Sequence, residues 1–171
     1  MKTTFLAIIA VSLLLSGCSL IQPQQPINVS DEKHANNKTQ QKEEPQKNNK
    51  LDLSDQNLEK IPEYVFNKTN LEELDVSNNR LTGAIQAEIR HLQNLKVLNA
   101  SNNKMTGVPA EIGQLRNLRV LDVSNNQLTG LPYELGNLKN LKTLNISENN
   151  YSELDLGIIQ EKLPGEVDII K

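Results

Sequence analysis

One six-residue word constrains this chain more than anything else in it. "LDVSNN" fills residues 74–79 and again 121–126, "LNASNN" fills 98–103, and the variants "LDLSDQ" and "LNISEN" fill 51–56 and 144–149. Successive copies begin 23, 24, 23 and 23 residues apart. A fixed period of that size requires one short supersecondary unit stacked on itself, each unit burying a face against the next. Composition agrees. Hydrophobic residues make up 37% of the chain but aromatics only 3%, with no Trp. That is enough Leu, Ile and Val to fill a thin stack, and too few rings for the middle of a round core.

Aligned on their first leucine, the units place Leu71, Leu74, Val76, Asn79 and Leu81 in the same slots as Leu95, Leu98, Ala100, Asn103 and Met105. Leu118, Leu121, Val123, Asn126 and Leu128 follow, then Leu141, Leu144, Ile146, Asn149 and Tyr151. The pattern L-x-x-L-x-L-x-x-N-x-L, continued by stretches such as "TGLPYELGNLKN", resembles the leucine-rich repeat over about 105 residues in five units. The resemblance implies an α/β solenoid. Its concave side is a parallel sheet of about five to six short strands, and its convex side is short helical or irregular segments. Within a strand at positions three to five, side chains alternate, so Leu74 and Val76 point inward while Glu73, Asp75 and Ser77 point outward. Asn79, Asn103, Asn126 and Asn149 fall where the chain turns. An amide both donates and accepts, so the four are expected to satisfy stranded backbone groups in a buried ladder. Pro62, Pro109 and Pro132 restart the chain in the first turn of the convex segments, with Ile112, Leu115, Leu135 and Leu138 inward.

The departures are informative. The first unit has Gln56 in the Asn slot, and Lys68 where later units have Leu92, Leu115 and Leu138; a terminal repeat meets water on one face. The second unit is one residue longer, and its "LTGAIQAEI" resembles a variant common in plant receptors, with Gln86 in place of Pro. Beyond Tyr151, the Ser152-x-x-Asp155 capping signal, a helical pattern, a Pro-Gly stop and the run Glu166–Ile170 predict a helix and strand over 153–171 that seal the last rung.

The N-terminus sets the expected location. After Lys2 comes an apolar run from Phe5 to Leu15, too short to span a bilayer but the length of a secretory h-region. It closes on Leu15-Ser16-Gly17-Cys18, which resembles the lipobox of bacterial lipoproteins. That resemblance implies a signal peptide at 1–17, an acylated Cys18, and a cell-envelope location. Ser19, rather than Asp, favours the outer membrane in a Gram-negative cell. Residues 18–49 then form a polar, Gln-, Asn- and Lys-rich tether too poor in apolar groups to pack a core. The repeats occupy 50–152 and the cap 153–171.

No pattern predicts catalysis. The repeat region has one His (His91), no Cys, and no nucleophile elbow, metalloprotease helix or phosphate loop. The acidity of the protein lies there, with 12 Lys and Arg against 17 Asp and Glu in 51–171. Nucleic acid is therefore not expected as a partner; neither is a cofactor or a metal. The expected contact surface is the concave face. Glu73, Val97, Val120 and Thr143 stand at position three, and Asp75, Asn99, Asp122 and Asn145 at position five. Arg80 and Lys104 in the following loops widen the face. The partner expected is a protein ligand bound by a monomer, with the membrane reached through lipid on Cys18. The alternative is a structural envelope protein that self-associates or packs on wall polymer.

Overall fold

The structure, a computed structural model, describes residues 49–171. The signal segment, Cys18 and the tether up to residue 48 lie outside the described residues. Six three-residue strands form one parallel sheet: β1 (Lys50–Asp52), β2 (Glu73–Asp75), β4 (Val97–Asn99), β6 (Val120–Asp122), β7 (Thr143–Asn145) and β8 (Asp168–Ile170), in that order. The register follows the repeat, with Leu51, Leu74, Leu98, Leu121, Leu144 and Ile169 side by side. β3 (Thr82–Gly83) and β5 (Lys104–Met105) form a second, two-stranded parallel sheet beside it.

Each return segment is a 3₁₀ helix: η1 (Glu63–Asn67), η2 (Ala87–His91), η3 (Ala110–Gln114) and η4 (Tyr133–Asn137). In such a turn, side chains three apart eclipse. The pairs Ile89/Leu92, Ile112/Leu115 and Leu135/Leu138 therefore share one face, and all six are buried. The first unit breaks the pair. Lys68 is exposed, and Phe66, one position after Val65, is buried in its stead. Pro62, Pro109 and Pro132 stand at the N-cap with extended ψ of 135–145°, not inside the first turn. Gln86 adopts the same backbone, and its side-chain amide donates to the Ile61 carbonyl at 2.6 Å. The extra residue of the second unit is absorbed at Gly83, whose φ of +68° suits glycine.

The core is one continuous column of aliphatic side chains running along the stack. At about 1.5–3 kcal/mol per fully buried large apolar side chain, this column is the main source of stability. Ala100 is a small residue in the slot held elsewhere by Val or Ile. The same rung carries Met105, whose unbranched chain suits irregular space. At the C-terminal end, Ser152 caps α1 (Glu153–Gln160) by accepting from the Asp155 amide at 3.3 Å. α1 buries Leu156 and Ile159, and β8 extends the sheet beyond β7. No helix among the described residues is long and apolar enough to cross a membrane.

Candidate functional site

The four ladder asparagines each donate to three backbone carbonyls and accept from the rung before. Asn103 donates through Nδ2 to the carbonyls of Val76, Ala100 and Ser101 at 3.0, 3.2 and 3.1 Å, and its Oδ1 accepts from the Leu81 amide at 3.0 Å. Val76 and Leu81 belong to the preceding rung, so each side chain clamps its own turn to the one before it. Asn126 and Asn149 repeat the pattern, accepting from Met105 and Leu128. Asn79 accepts twice, from Gln56 and Leu58. The ladder is less enclosed than expected. Asn79 is buried, whereas Asn103, Asn126 and Asn149 are half-buried.

The preceding residue has a role that the sequence reading passed over. Asn78, Asn102, Asn125 and Glu148 all have φ of 50–56°. Asn tolerates that left-handed conformation better than most residues, so "SNN" spells a turn residue and then a clamp. Ser77, Ser101 and Ser124 are buried rather than outward. The strand ends at position five, and the chain curls so that each Ser hydroxyl donates back to the Asx two residues earlier. Ser77 reaches Asp75 at 2.6 Å, Ser101 reaches Asn99 at 2.8 Å and Ser124 reaches Asp122 at 2.6 Å.

On the concave face, position three runs Lys50, Glu73, Val97, Val120, Thr143, Asp168 in adjacent register. Lys50 pairs with Glu73 at 2.6 Å. Val97 and Val120 stand side by side, half-buried, in the middle of the sheet. Position five is occupied with its own hydrogen bonds. Asn99 donates to Asp75 Oδ2 at 3.0 Å and Asn145 to Asp122 Oδ2 at 2.9 Å, while the other oxygens hold the serines. At the first rung, the Ser54 hydroxyl and amide, donating to Asp52, hold its carboxyl below the usual range. Among the described residues there is no cluster of three or more His, Cys, Asp or Glu fit to hold a metal.

Glu73, Asp75, Val97 and Asn99 come together with Lys50, Asp52, Leu51 and Leu74 around a groove of about 310 Å³. Val120, Asp122, Thr143 and Asn145 continue the same face along the register. Arg80 and Lys104 do not line the groove. Both follow the asparagine turn, and Lys104 sits in β5 of the second sheet. A larger depression of about 480 Å³ opens on the convex side between η1 and η2, lined by Phe66, Lys60, Glu63, Gln86, Glu88 and His91, with Asn67 at its edge. Its cause is local. At η3 a glycine, Gly113, lies so close to η4 that a Cβ there would meet the Glu134 carbonyl carbon at 2.7 Å. Phe66 and Arg90 hold the equivalent position in η1 and η2, where a side chain takes the place of glycine.

One feature of the face was legible in the alignment and passed over. Position two reads Glu72, Lys96, Arg119, Lys142 in consecutive rungs. Lys96 pairs with Glu72 at 2.6 Å and Lys142 with Glu166 at 4.0 Å. The Lys96 ammonium, by hydrogen bond, holds the Glu72 carboxyl below the usual range against the opposing effect of burial, and the charge of Arg119 adds a small pull.

Comparison with known proteins agrees with this geometry. Leucine rich repeat profiles match residues 49–105 and 69–128, and a two-copy Leucine Rich repeats profile matches 116–157. A leucine-rich repeat protein of Leptospira interrogans is 39% identical, with a TM-score of 0.60 over 65% of this chain and 28% of that one. The ectodomain of the Arabidopsis thaliana receptor kinase SOBIR1 is 28% identical, with a TM-score of 0.57 over 71% of this chain and 67% of that one. The Arabidopsis thaliana BIR3–SERK2 complex contains a chain 30% identical, with a TM-score of 0.55 over 70% of this chain and 65% of that one. The chain thus spans little more than a quarter of the Leptospira protein's length. No curated protein matches the chain in sequence.

Proposed function

The chain belongs to the leucine-rich repeat family, and from that premise we propose that it is a protein-binding module held at a bacterial cell envelope by lipid on Cys18. The observation that carries the binding reading is the concave face. There an apolar pair, Val97 and Val120, is half-exposed at the centre of a rigid six-stranded sheet, with charged and amide groups around it. Similar solenoids are seen in complexes, as the BIR3–SERK2 structure is, which supports a protein as the ligand. The anchor rests on the resemblance of Leu15-Ser16-Gly17-Cys18 to a lipobox. Two or three acyl chains, at about 0.8 kcal/mol per buried CH₂, would hold the protein stably where a single chain would not.

Size bounds the affinity. Six strands spaced about 4.8 Å apart give a width near 29 Å, and three-residue strands at about 3.3 Å per residue give a height near 10 Å. The strip is thus about 300 Å², against about 800 Å² per partner in a standard interface. Binding by one copy is therefore micromolar or weaker, and many copies on one membrane compensate through avidity. The test is capture of envelope proteins by the full chain and by the Val97→Glu, Val120→Glu double variant. Loss of a specific partner with the fold retained supports the reading; a partner captured equally by both places the site elsewhere. Cys18→Ser should abolish palmitate labelling, and equal labelling of the variant removes the anchor.

A further inference from the structure

Three consecutive rungs of an acidic domain carry a cation in one slot. Lys96, Arg119 and Lys142 follow each other at the margin where the strands begin, in rungs tied amide to carbonyl. The Arg119 amide donates to Lys96 at 2.8 Å, and the Lys142 amide donates to Arg119 at 2.7 Å. Glu72 and Glu166 close the row at its two ends, each paired with the cation beside it. Arg119, in the middle, is exposed and forms no ion pair among the described residues. One residue further along each strand lies the uncharged stripe Val97, Val120 and Thr143. Beyond that, the position-five carboxylates are committed to their own serines and amides.

A row of like charges on adjacent strands is unfavourable to the fold itself. The two end glutamates pair with Lys96 and Lys142, while the central guanidinium forms no ion pair of its own among the described residues. Resting on the reading of the concave face as a binding surface, we infer that its ligand is an extended peptide segment rich in carboxylates, whose acidic side chains lie along Lys96, Arg119 and Lys142 while its apolar side chains lie on Val97 and Val120. The row is about 10 Å long at about 4.8 Å per rung, and same-side carboxylates of an extended chain recur about every 6.6 Å, so two of them spread over the three cations. In such a chain, alternate side chains point to opposite sides, so alternating Glu and Val presents carboxylates to the row and methyl groups to the stripe. Arg119 gives the planar, two-pronged donor that suits a carboxylate.

The experiment is fluorescence anisotropy of a labelled octapeptide alternating Glu and Val, titrated with the full chain in detergent. The expected results are saturable binding, a loss of about tenfold on raising salt from about 50 to 300 mM, and a similar loss in Arg119→Glu. Arg119→Lys should weaken binding less. Arg116→Glu, the same charge change on an exposed residue just past η3, should leave it unchanged. Folding of Arg119→Glu, checked by circular dichroism, should be intact, because the new carboxylate sits between two lysines. The inference is overturned if the Gln-for-Glu peptide binds equally well, or if Arg116→Glu costs as much as Arg119→Glu. It is also overturned if phosphatidylglycerol vesicles bind the chain with the same dependence on Arg119, which would mark a general anion patch. The two readings fail separately. An envelope partner lost in the Val97→Glu, Val120→Glu variant but indifferent to Arg119→Glu keeps the binding module and removes the acidic ligand. Indifference to both sets of changes removes both.

Discussion

Asn103→Ala should be costly for a reason that a simple bond tally would misplace. The side chain makes four hydrogen bonds, yet three of its partners are shared. The Val76 carbonyl also accepts from Asn79, the Ala100 carbonyl from Asn126, and the Ser101 carbonyl from the Asn78 amide. Each keeps a partner when Asn103 is truncated. The Leu81 amide does not: its acceptor is Asn103 Oδ1, and Leu81 is 3% exposed. The cost is therefore one orphaned buried donor, about 1–3 kcal/mol, plus weaker bonding at three carbonyls, or about 2–3 kcal/mol in all. Gln56, in the same slot of the first rung, is exposed and makes no side-chain bond, so Gln56→Ala should stay within about 0.5 kcal/mol. The assay is urea unfolding of the two variants. Asn103→Asp adds a sign test. Its carboxylate would face three carbonyl oxygens, raising its folded-state pKa above the unfolded value of about 3.9. The native state then binds the extra proton, so this variant should be most stable below about pH 4 and lose stability as pH rises through the raised pKa. Equal urea midpoints for Asn103→Ala and Gln56→Ala would refute the clamp.

Further outcomes follow from single positions. Glu148 holds φ of 54° where its counterparts are Asn; Glu148→Asn should raise stability by about 0.5–1 kcal/mol, read as a shift of the thermal midpoint. Gly113→Ala pushes a Cβ to 2.7 Å from the Glu134 carbonyl carbon; calorimetry should show a loss of about 1–3 kcal/mol, and an unchanged midpoint would show that η3 and η4 separate freely. Asp52 should titrate in an NMR series below its ordinary 3.8, and Ser54→Ala should move it back up. Because that folded-state value is depressed, the native state binds fewer protons, and the Asp52 contribution is present above the ordinary value and fades as pH falls through the lowered one.

The stack was legible because each rung repeats the same burial problem. Leu74, Leu98, Leu121 and Leu144 could be placed in one column from their spacing alone, and Ser152 and Asp155 announced the cap helix. What escaped was set by neighbours rather than by the word. The second sheet arises where Thr82 and Gly83 of the longer unit meet Lys104 and Met105, a pairing that the repeat word does not encode. Burial of Ser77 follows from the chain curling after Asp75, which strand alternation does not describe. Phe66 replaces the missing leucine at Lys68 two positions away from the slot, so a column-by-column alignment shows a gap that the fold has filled. The row Lys96, Arg119, Lys142 was readable from the same alignment. It lies one position before the strands, where attention to inward and outward faces stops.

The most direct test of a concave binding face is photo-crosslinking in the intact envelope. The full chain would carry benzoylphenylalanine at Val120 in one strain and at Glu111, on convex η3, in another. The account predicts a discrete crosslinked protein from the Val120 position and none from the Glu111 position. A partner trapped only from Glu111 would contradict it.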